Sequence, residues 1–236
     1  MNSALESNSS LLAVLDDDLR RRIFLFVRAK GLPVSREQVA KEVGISRKLT
    51  AFHLDKLTEK GLLNHHYARP PGKGGPGAGR PAKVYEPSCL TIEISVPQRQ
   101  YELAGQLLLD GVAAHDEGAT ASQTTNSAAL AHGSELGSRA SSEKGLHHPG
   151  NERTLAAAEQ ILSEQGFEPF RETPKVVALR NCPFHALAQR SPEVVCGMNR
   201  SFIEGIVRGL GNERVQAVLE PQPGHCCVKL CLPDPG

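Results

Sequence analysis

The sequence predicts an α+β fold built from two domains and a connecting helix, and three observations support this prediction. The chain has 236 residues, a length that suits two domains of modest size. Stretches with apolar residues at helical spacing alternate with short apolar runs that are typical of strands. Charge is segregated, because 15 Lys or Arg and only 4 Asp or Glu lie between Arg20 and Lys83 in a chain of net charge +1. This basic third indicates a separate domain that binds a polyanion.

Composition narrows the class of protein further. Hydrophobic residues make up 39% of the chain, with no Trp, 3 Tyr and 7 Phe, so any core must be mainly aliphatic. No apolar run approaches the ~20 residues that span a bilayer, and the first residues lack the basic and apolar regions of a secretory signal. We therefore expect a cytoplasmic protein with no membrane partner. Its six cysteines are expected to be thiols or metal ligands rather than disulfides.

The basic third begins with three predicted helices. Apolar residues at helical spacing predict the first helix over Leu19–Val27, with acidic residues at its N-terminus. Ser35 and Ser46 each precede a further short helix, and Gly44 separates those two helices. A helix, a tight turn containing glycine and a second helix at this spacing are the signature of a helix-turn-helix.

The last of these helices has two distinct faces. At 100° per residue its inner arc holds Thr50, His53, Leu54 and Leu57. A recognition helix presents its N-terminal and outward residues to the major groove of DNA. The DNA-binding candidates on this helix are Ser46, Arg47, Lys48, Ala51, Phe52 and Lys56. For Phe52 two readings stay open: it packs on a thymine methyl group, or it covers a neighbouring helix.

A hairpin with a basic tip follows the recognition helix. Strands are predicted at Leu62–Leu63 and at Lys83–Tyr85, on either side of a loop rich in Gly and Pro. In this position such a hairpin is a wing, and its candidate DNA-binding residues are Arg69, Lys73, Arg80 and Lys83. The segments SRKLTAFHLDKLTEKGLL and GRPAKVYEPS resemble the ArsR-like winged helix-turn-helix transcriptional regulators over residues 11–88. The resemblance implies a partner of double-stranded DNA.

The middle of the chain contains one clear helix and one polar stretch. Apolar residues that include Leu103 and Leu107 predict a helix over residues 98–115. The resemblance implies that this helix joins two copies in a homodimer, and packing within the chain is the alternative. Residues 116–153 are rich in Ser, Ala, Gly, Thr and His, so we expect a flexible polar stretch with a short helix near residues 127–140.

Residues 154–236 are predicted to form a small α+β domain. A helix is expected around Leu155–Leu162, and a second helix from Ser191 to Leu210 begins with Ser-Pro-Glu. The predicted strands cover residues 167–172, 175–180, 216–220 and 226–232. Three of the cysteine positions then fall at element boundaries, which could bring them together at one end of the sheet.

The C-terminal cysteines are the candidate ligands of a metal centre. The candidates are Cys182, Cys196, Cys226, Cys227 and His185, with His225 as a spare ligand. Tetrahedral zinc takes three cysteines and one histidine or a similar set of four ligands, and an iron–sulfur cluster takes three or four thiolates. Cys89 and Cys231 are expected to be packed as small apolar residues. A thiol enzyme that uses Cys182 and His185 is a weaker alternative, because no oxyanion-stabilising motif accompanies them.

A second resemblance concerns these cysteines. The segments NCPFHALAQRSPEVVCGMN and PGHCCVKL resemble the sensor domain of iron–sulfur-responsive repressors of the SufR type. The resemblance implies a cluster held by Cys182, Cys196 and either Cys226 or Cys227. The sequence therefore predicts a homodimeric transcriptional repressor, not an enzyme, which binds a palindromic operator with an affinity set by an iron–sulfur or redox-sensitive centre. A structural zinc, or no metal, is the alternative.

Overall fold

The computed structural model describes residues 3–69, 81–115, 118–146 and 149–233. The chain is a mixed α+β protein with two small antiparallel sheets. It divides into two compact units, Met1–Ile94 and Ser95–Gly236. In the parts of the chain described, no helix is long and apolar enough to cross a membrane.

The helices of the first unit begin and end at local sequence signals. They are α1 (Ser3–Asp16), α2 (Asp18–Lys30), α3 (Arg36–Val43) and α4 (Arg47–Glu59). The side chain of Asp17 accepts a hydrogen bond from the backbone N–H of Arg20 at the start of α2. Ser35 caps α3 in a capping box with Gln38. Gly44 ends α3 in the left-handed region at φ 75°, where glycine has no steric penalty.

A three-stranded sheet completes the first unit. Its strands are β1 (Val34–Ser35), β2 (Leu63–Ala68) and β3 (Ala82–Pro87), in the order β1-β3-β2. Strand β3 is central, so Tyr85 pairs with Val34 on one side and with His65 on the other. Tyr85 is fully buried in a core formed mainly by Ile, Val and Leu from α2, α3, α4 and the sheet. The predicted inner arc of α4 is confirmed: Thr50, His53, Leu54 and Leu57 are all buried.

The second unit combines five helices with a four-stranded sheet in the described residues. The helices are α5 (Tyr101–Ala113), α6 (Ala121–Lys144), α7 (Asn151–Glu164), α8 (His185–Arg190) and α9 (Pro192–Gly209). The strands are β4 (Pro169–Thr173), β5 (Val176–Leu179), β6 (Gln216–Leu219) and β7 (Val228–Cys231), in the order β4-β5-β7-β6. Pro192 occupies the first turn of α9, whereas the side chain of Ser191 makes no capping hydrogen bond.

The short helix predicted near residues 127–140 lies within α6, but the flexible stretch expected around it at residues 116–153 is largely wrong. Helix α6 occupies 24 of these residues and begins with a capping box between Thr120 and Gln123. The helix packs closely on α9 through glycines, since a Cβ atom on Gly133 would collide with the carbonyl oxygen of Phe202. Gly205 on α9 lies equally close to the backbone of Leu130. Small residues therefore stabilise this helix by letting two backbones approach, although they bury little side-chain surface.

Helix α5 packs within its own unit. Leu103 and Leu107 are buried in the core of the second unit, which contradicts the expectation that they lie in a surface between two copies. The opposite side of α5 carries the exposed apolar residues, with Leu109 70% exposed and Val112 64% exposed. Packing within the chain and an uncovered apolar face therefore occur on the same helix.

Candidate metal centre and nucleic-acid interface

Sheet register brings two of the cysteines together. Strands β5 and β7 are antiparallel neighbours, with Val177 opposite Leu230, so the end of β5 lies beside the start of β7. The backbone N–H of Cys226 donates to the carbonyl of Leu179 at 2.9 Å. Cys182 follows Leu179 by three residues, and its thiol hydrogen bonds to that of Cys226.

Helix α9 supplies a third thiol next to this pair. Cys196 lies in the first half of α9, which packs against β6 and β7. Its side chain hydrogen bonds to Cys227, and Cys227 in turn hydrogen bonds to Cys226. Four thiols therefore contact one another in the order 182, 226, 227 and 196, and we call this group the thiol cluster. It unites the four cysteines that the sequence predicts as metal ligands.

The surroundings of the thiol cluster disfavour thiolates. The hydrogen bond to Cys226 and burial both raise the pKa of Cys182 far above its usual range. Cys182 lowers the pKa of Cys226, but the hydrogen bond to Cys227 and burial outweigh this and raise it to about 12. Burial also raises the pKa of Cys196, against an opposing hydrogen bond with Cys227. The raised pKa values keep Cys182, Cys196 and Cys226 neutral near pH 7 unless a cation compensates their negative charge.

The thiol cluster has the donor atoms that a metal centre needs, but its side chains are not arranged as ligands around one ion. Within the described residues, no three Cys, His, Asp or Glu side chains form a group that could hold a metal ion. The thiols are linked in pairs, 182 with 226, 226 with 227 and 227 with 196, rather than around one point. Four sulfur donors are the ligand set of tetrahedral zinc and of iron–sulfur clusters. The donor set thus fits either group.

The histidines lie apart from the thiol cluster. The His185 side chain is exposed, and its backbone N–H donates to the carbonyl of Cys182. The His225 ring is also exposed, with Nδ1 3.2 Å from the carbonyl of Pro223 and the ring 5.8 Å from that of Phe170. No described contact of the four thiols involves either imidazole. Cys89 is exposed, contrary to the expectation that it is packed, and Cys231 is half-buried on β7.

Two polar residues that support the thiol cluster were missed by the sequence reasoning. Asn199 lies on α9 three residues after Cys196, is fully buried, and donates from Nδ2 to Cys226 Sγ at 3.2 Å. Arg99 donates to the carbonyl of Cys182 at 2.9 Å and to Asn181 at 2.8 Å. The contact of Asn199 joins residues 27 apart in the chain, so no local pattern indicates it. The contact of Arg99 spans 83 residues and has no local signal.

The start of α4 is an exposed part of the candidate nucleic-acid interface. Ser46 caps the helix by accepting from the N–H of Leu49. Arg47 and Lys48 are exposed on the first turn, and Arg47 is only weakly paired with Glu37 at 3.8 Å. Phe52 is 54% exposed, and its ring lies 5.4 Å from that of His53. Ala51 is half-buried beside it.

The remaining basic candidates differ in how free they are. Lys83 on β3 is tied to Asp55 on α4 at 2.8 Å; burial disfavours its charged form, but that hydrogen bond and Tyr85 prevail and raise its pKa. Lys56 is paired with Glu59 at 2.9 Å. Arg69 is exposed just after β2. Lys73 and Arg80, the other two wing candidates, lie outside the described residues.

An exposed aromatic pair on β2 was also missed. Tyr67 is 64% exposed and its ring lies edge-on to that of His65. The two residues are two apart on one strand, so they share a face of the sheet.

Comparison of the chain with known protein families, with curated proteins and with solved structures gives no match.

Proposed function

We propose that the protein is a winged helix-turn-helix transcriptional repressor that binds an operator in double-stranded DNA. The observation that carries this proposal is the exposed basic first turn of α4, which follows α3 after a glycine turn and precedes the β2–β3 hairpin. In a winged helix-turn-helix the second helix of the motif enters the major groove and the hairpin lies beside it. The ArsR-like resemblance of residues 11–88 supports the same assignment.

Contacts with DNA are assigned by exposure. Arg47 and Lys48 are the base or phosphate readers, and exposed Phe52 packs on a thymine methyl group. Arg69, exposed just after β2, contacts the phosphate backbone. Lys73 and Arg80, which lie outside the described residues, are proposed to bind phosphates as well. Lys83 holds the hairpin to α4 through Asp55 and contributes mainly to the shape of the interface.

The repressor acts as a homodimer on a palindromic operator. The exposed apolar side of α5, which includes Leu109 and Val112, supports an interface between two copies. Leu103 and Leu107, being buried within the chain, belong to the core rather than to this interface. Two copies related by a twofold axis match the symmetry of a palindrome.

The thiol cluster is the proposed sensor, and its occupant is an iron–sulfur cluster. Four adjacent thiols support this part of the proposal, together with the resemblance to iron–sulfur-responsive repressors. When bound, the cluster would supply redox and ligand-exchange chemistry, with Cys182, Cys196, Cys226 and Cys227 as its ligands. Because the thiols must lose their protons to bind metal, uptake releases protons and weakens as the pH falls.

A structural zinc is the second candidate, because four thiolates around one ion also suit tetrahedral zinc. A thiol enzyme is not favoured. Nucleophilic cysteines need a lowered pKa, and both Cys182 and Cys226 have raised ones. His185, the base that such an enzyme would need, makes no described contact with the thiols.

The test combines metal content with operator binding. The full chain is purified and reconstituted without oxygen, and iron, sulfide and zinc are measured beside the visible spectrum and the affinity for an operator selected from random DNA. An iron–sulfur repressor gives visible charge-transfer bands and an affinity that changes on cluster loss. Colourless protein with zinc supports the structural metal. If Cys182→Ser and Cys196→Ser leave metal content and affinity as in the wild type, the sensor proposal fails.

The DNA-binding proposal is tested separately by the same selection. A repressor enriches one sequence family with an inverted repeat. Failure to enrich any sequence at low salt contradicts the DNA-binding proposal, whatever the metal content. Exposed Cys89 provides the matched control for the cysteine variants, because Cys89→Ser removes a thiol outside the thiol cluster.

A further inference from the structure

Asn199 is a polar residue on the buried face of α9. Its neighbours on that face are apolar, among them Met198, Phe202 and Ile203, and all are fully buried. Asparagine is a poor helix former, and a buried amide is costly where its polar atoms lack partners. The oxygen Oδ1 of Asn199 is buried without a hydrogen-bond partner. A residue that served only to fill this space would be better replaced by leucine or methionine.

The other end of the same amide has a defined partner. Nδ2 of Asn199 lies 3.2 Å from Sγ of Cys226, a hydrogen bond between two side chains that are both buried. An amide N–H is only a donor, so the sulfur is its acceptor. A sulfur bound to a metal carries more negative charge than a thiol and accepts a stronger hydrogen bond. The contact therefore gains strength when the sulfur becomes a ligand.

We propose that Asn199 is a positioning residue of the metal centre, whose amide N–H holds the sulfur of Cys226 and stabilises it as a metal-bound thiolate. This inference rests on the proposed metal-binding function of the thiol cluster. Outer partners of this kind orient a ligand and tune its basicity, and their loss typically costs about 10- to 100-fold in metal affinity. Asn199 thus sets how readily the centre gives up its metal, which is the property that a sensor must control.

Asn126 offers a matched control. It is half-buried on α6, its Oδ1 is also buried without a partner, and a Cβ atom added to Gly197 would lie 3.5 Å from that Oδ1. No described contact joins Asn126 to a sulfur. Replacing either asparagine by leucine removes an amide with a buried, unpaired oxygen from the same unit, but only Asn199→Leu removes the donor to Cys226.

The experiment uses Co²⁺ as the probe, because thiolate-to-cobalt charge-transfer bands report sulfur ligation directly. Metal-free full-length protein is titrated with Co²⁺ without oxygen, and release to EDTA is then timed. Asn199→Leu and Asn199→Ala should bind Co²⁺ about 10- to 100-fold more weakly than the wild type and release it faster. Their charge-transfer bands should shift to lower energy, since the sulfur lone pairs are no longer stabilised by a donor. Asn126→Leu should behave as the wild type.

The outcomes separate the two proposals. If the wild type gives no charge-transfer bands, the metal-binding function fails and this inference fails with it. If the wild type binds Co²⁺ and the Asn199 variants match it in affinity and spectrum, the metal site stands and the role of Asn199 is refuted. An equal loss in Asn126→Leu would mean a packing effect and would also overturn the inference.

A measurement on the wild type covers the case in which the variants do not fold. In protein substituted with ¹¹³Cd, a hydrogen bond to a metal-bound sulfur transmits coupling between the metal and the donor proton. The side-chain amide proton of Asn199 should show this coupling. Its absence in a protein that binds cadmium through Cys226 would overturn the inference.

Discussion

At the residue scale, both candidate sites depend on whether a side chain can carry its charge at the position where the fold places it. Arg47 and Lys48 keep their charge in water, while the sulfurs of the thiol cluster lie where charge is disfavoured. Exposed charge suits a polyanion, which brings its own counter-charge. Buried thiols suit a metal cation, which replaces their protons and compensates the thiolates.

The first prediction concerns the exposed turn of α4. Arg47→Ala and Lys48→Ala should each weaken operator binding by about 1–3 kcal/mol, because each removes a contact to a base or phosphate. Affinity is measured at fixed salt by titration of labelled operator DNA. Lys60→Ala is the control, since Lys60 is an exposed lysine at the opposite end of the same helix. Loss of affinity in Lys60→Ala, with none in the other two variants, would contradict the assignment of the reading face.

The second prediction concerns pH and the stability of the metal-free protein. Folding raises the pKa of Cys226 from 9.0 to about 12, so the folded state keeps a proton that the unfolded state loses in this window. Stability from this group is complete below about pH 9 and is lost as the pH rises towards 12. Urea midpoints at pH 8 and pH 10 should therefore fall more in the wild type than in Cys226→Ser. Cys89→Ser should keep the wild-type pH dependence, and equal slopes in all three proteins would exclude the effect.

At the element scale, caps and periodicity predict most helices and strands but not those stabilised by distant contacts. The start of α4 at Ser46 and its inner arc follow from local signals, and the structure confirms them. Strand β1 has only two residues and exists because β3 pairs with it, which no local pattern reveals. The length of α6 is underestimated for a different reason: its buried side is made of small residues, so it lacks the large apolar stripe that marks an amphipathic helix.

In the candidate metal centre too, some features follow from the local sequence and others only from distant contacts. The turn-like context of Cys182 and its position at a strand end point to a ligand, and register alone brings Cys226 beside it. The prediction that His185 and His225 lie beside the thiols is wrong. A residue that is close in sequence to a cysteine need not point its side chain towards it. His185 begins α8, whose direction carries its ring into solvent. Asn199 is missed because nothing in its sequence neighbourhood shows that Cys226, 27 residues away, packs on it.

The third prediction tests the glycine crossing of α6 and α9. Gly133→Ala should destabilise the protein by about 1–3 kcal/mol, because its methyl group would meet the backbone of Phe202 and force the helices apart. Gly105→Ala on α5 is the control: nothing lies within 4 Å of its added Cβ, so it should be neutral or stabilising by about 0.5–1 kcal/mol. Urea unfolding measures both. Equal stability of Gly133→Ala and wild type would show that the two helices do not cross this closely.

At the scale of the whole molecule, the proposal requires that metal occupancy in one unit change DNA affinity in the other. A ligand shifts such an equilibrium only by the difference in its affinity for the two states. Coupling is reciprocal, so operator DNA must change metal affinity by the same factor that the metal changes DNA affinity. Measuring Co²⁺ affinity with and without operator therefore gives the coupling free energy independently of any DNA titration with holo and apo protein.

The last prediction concerns the dimer interface. The structure indicates other residues of α5 for this interface than the sequence does. Charged replacements at Leu103 or Leu107 would disrupt the core of the second unit, because both side chains are buried there. Leu109→Glu and Val112→Glu act on the exposed side of α5 instead, where a charge costs little in the monomer but much in an apolar interface. The wild type should sediment as a dimer at micromolar concentration, and the double variant as a folded monomer with unchanged urea stability per chain. Its operator affinity should fall because each half-site is then bound alone.

Gln106→Glu, on the same helix and also exposed, adds charge without removing an apolar group and should remain dimeric. A double variant that stays dimeric would show that α5 does not form the interface, and a monomeric wild type that still binds an inverted repeat tightly would contradict assembly through any surface.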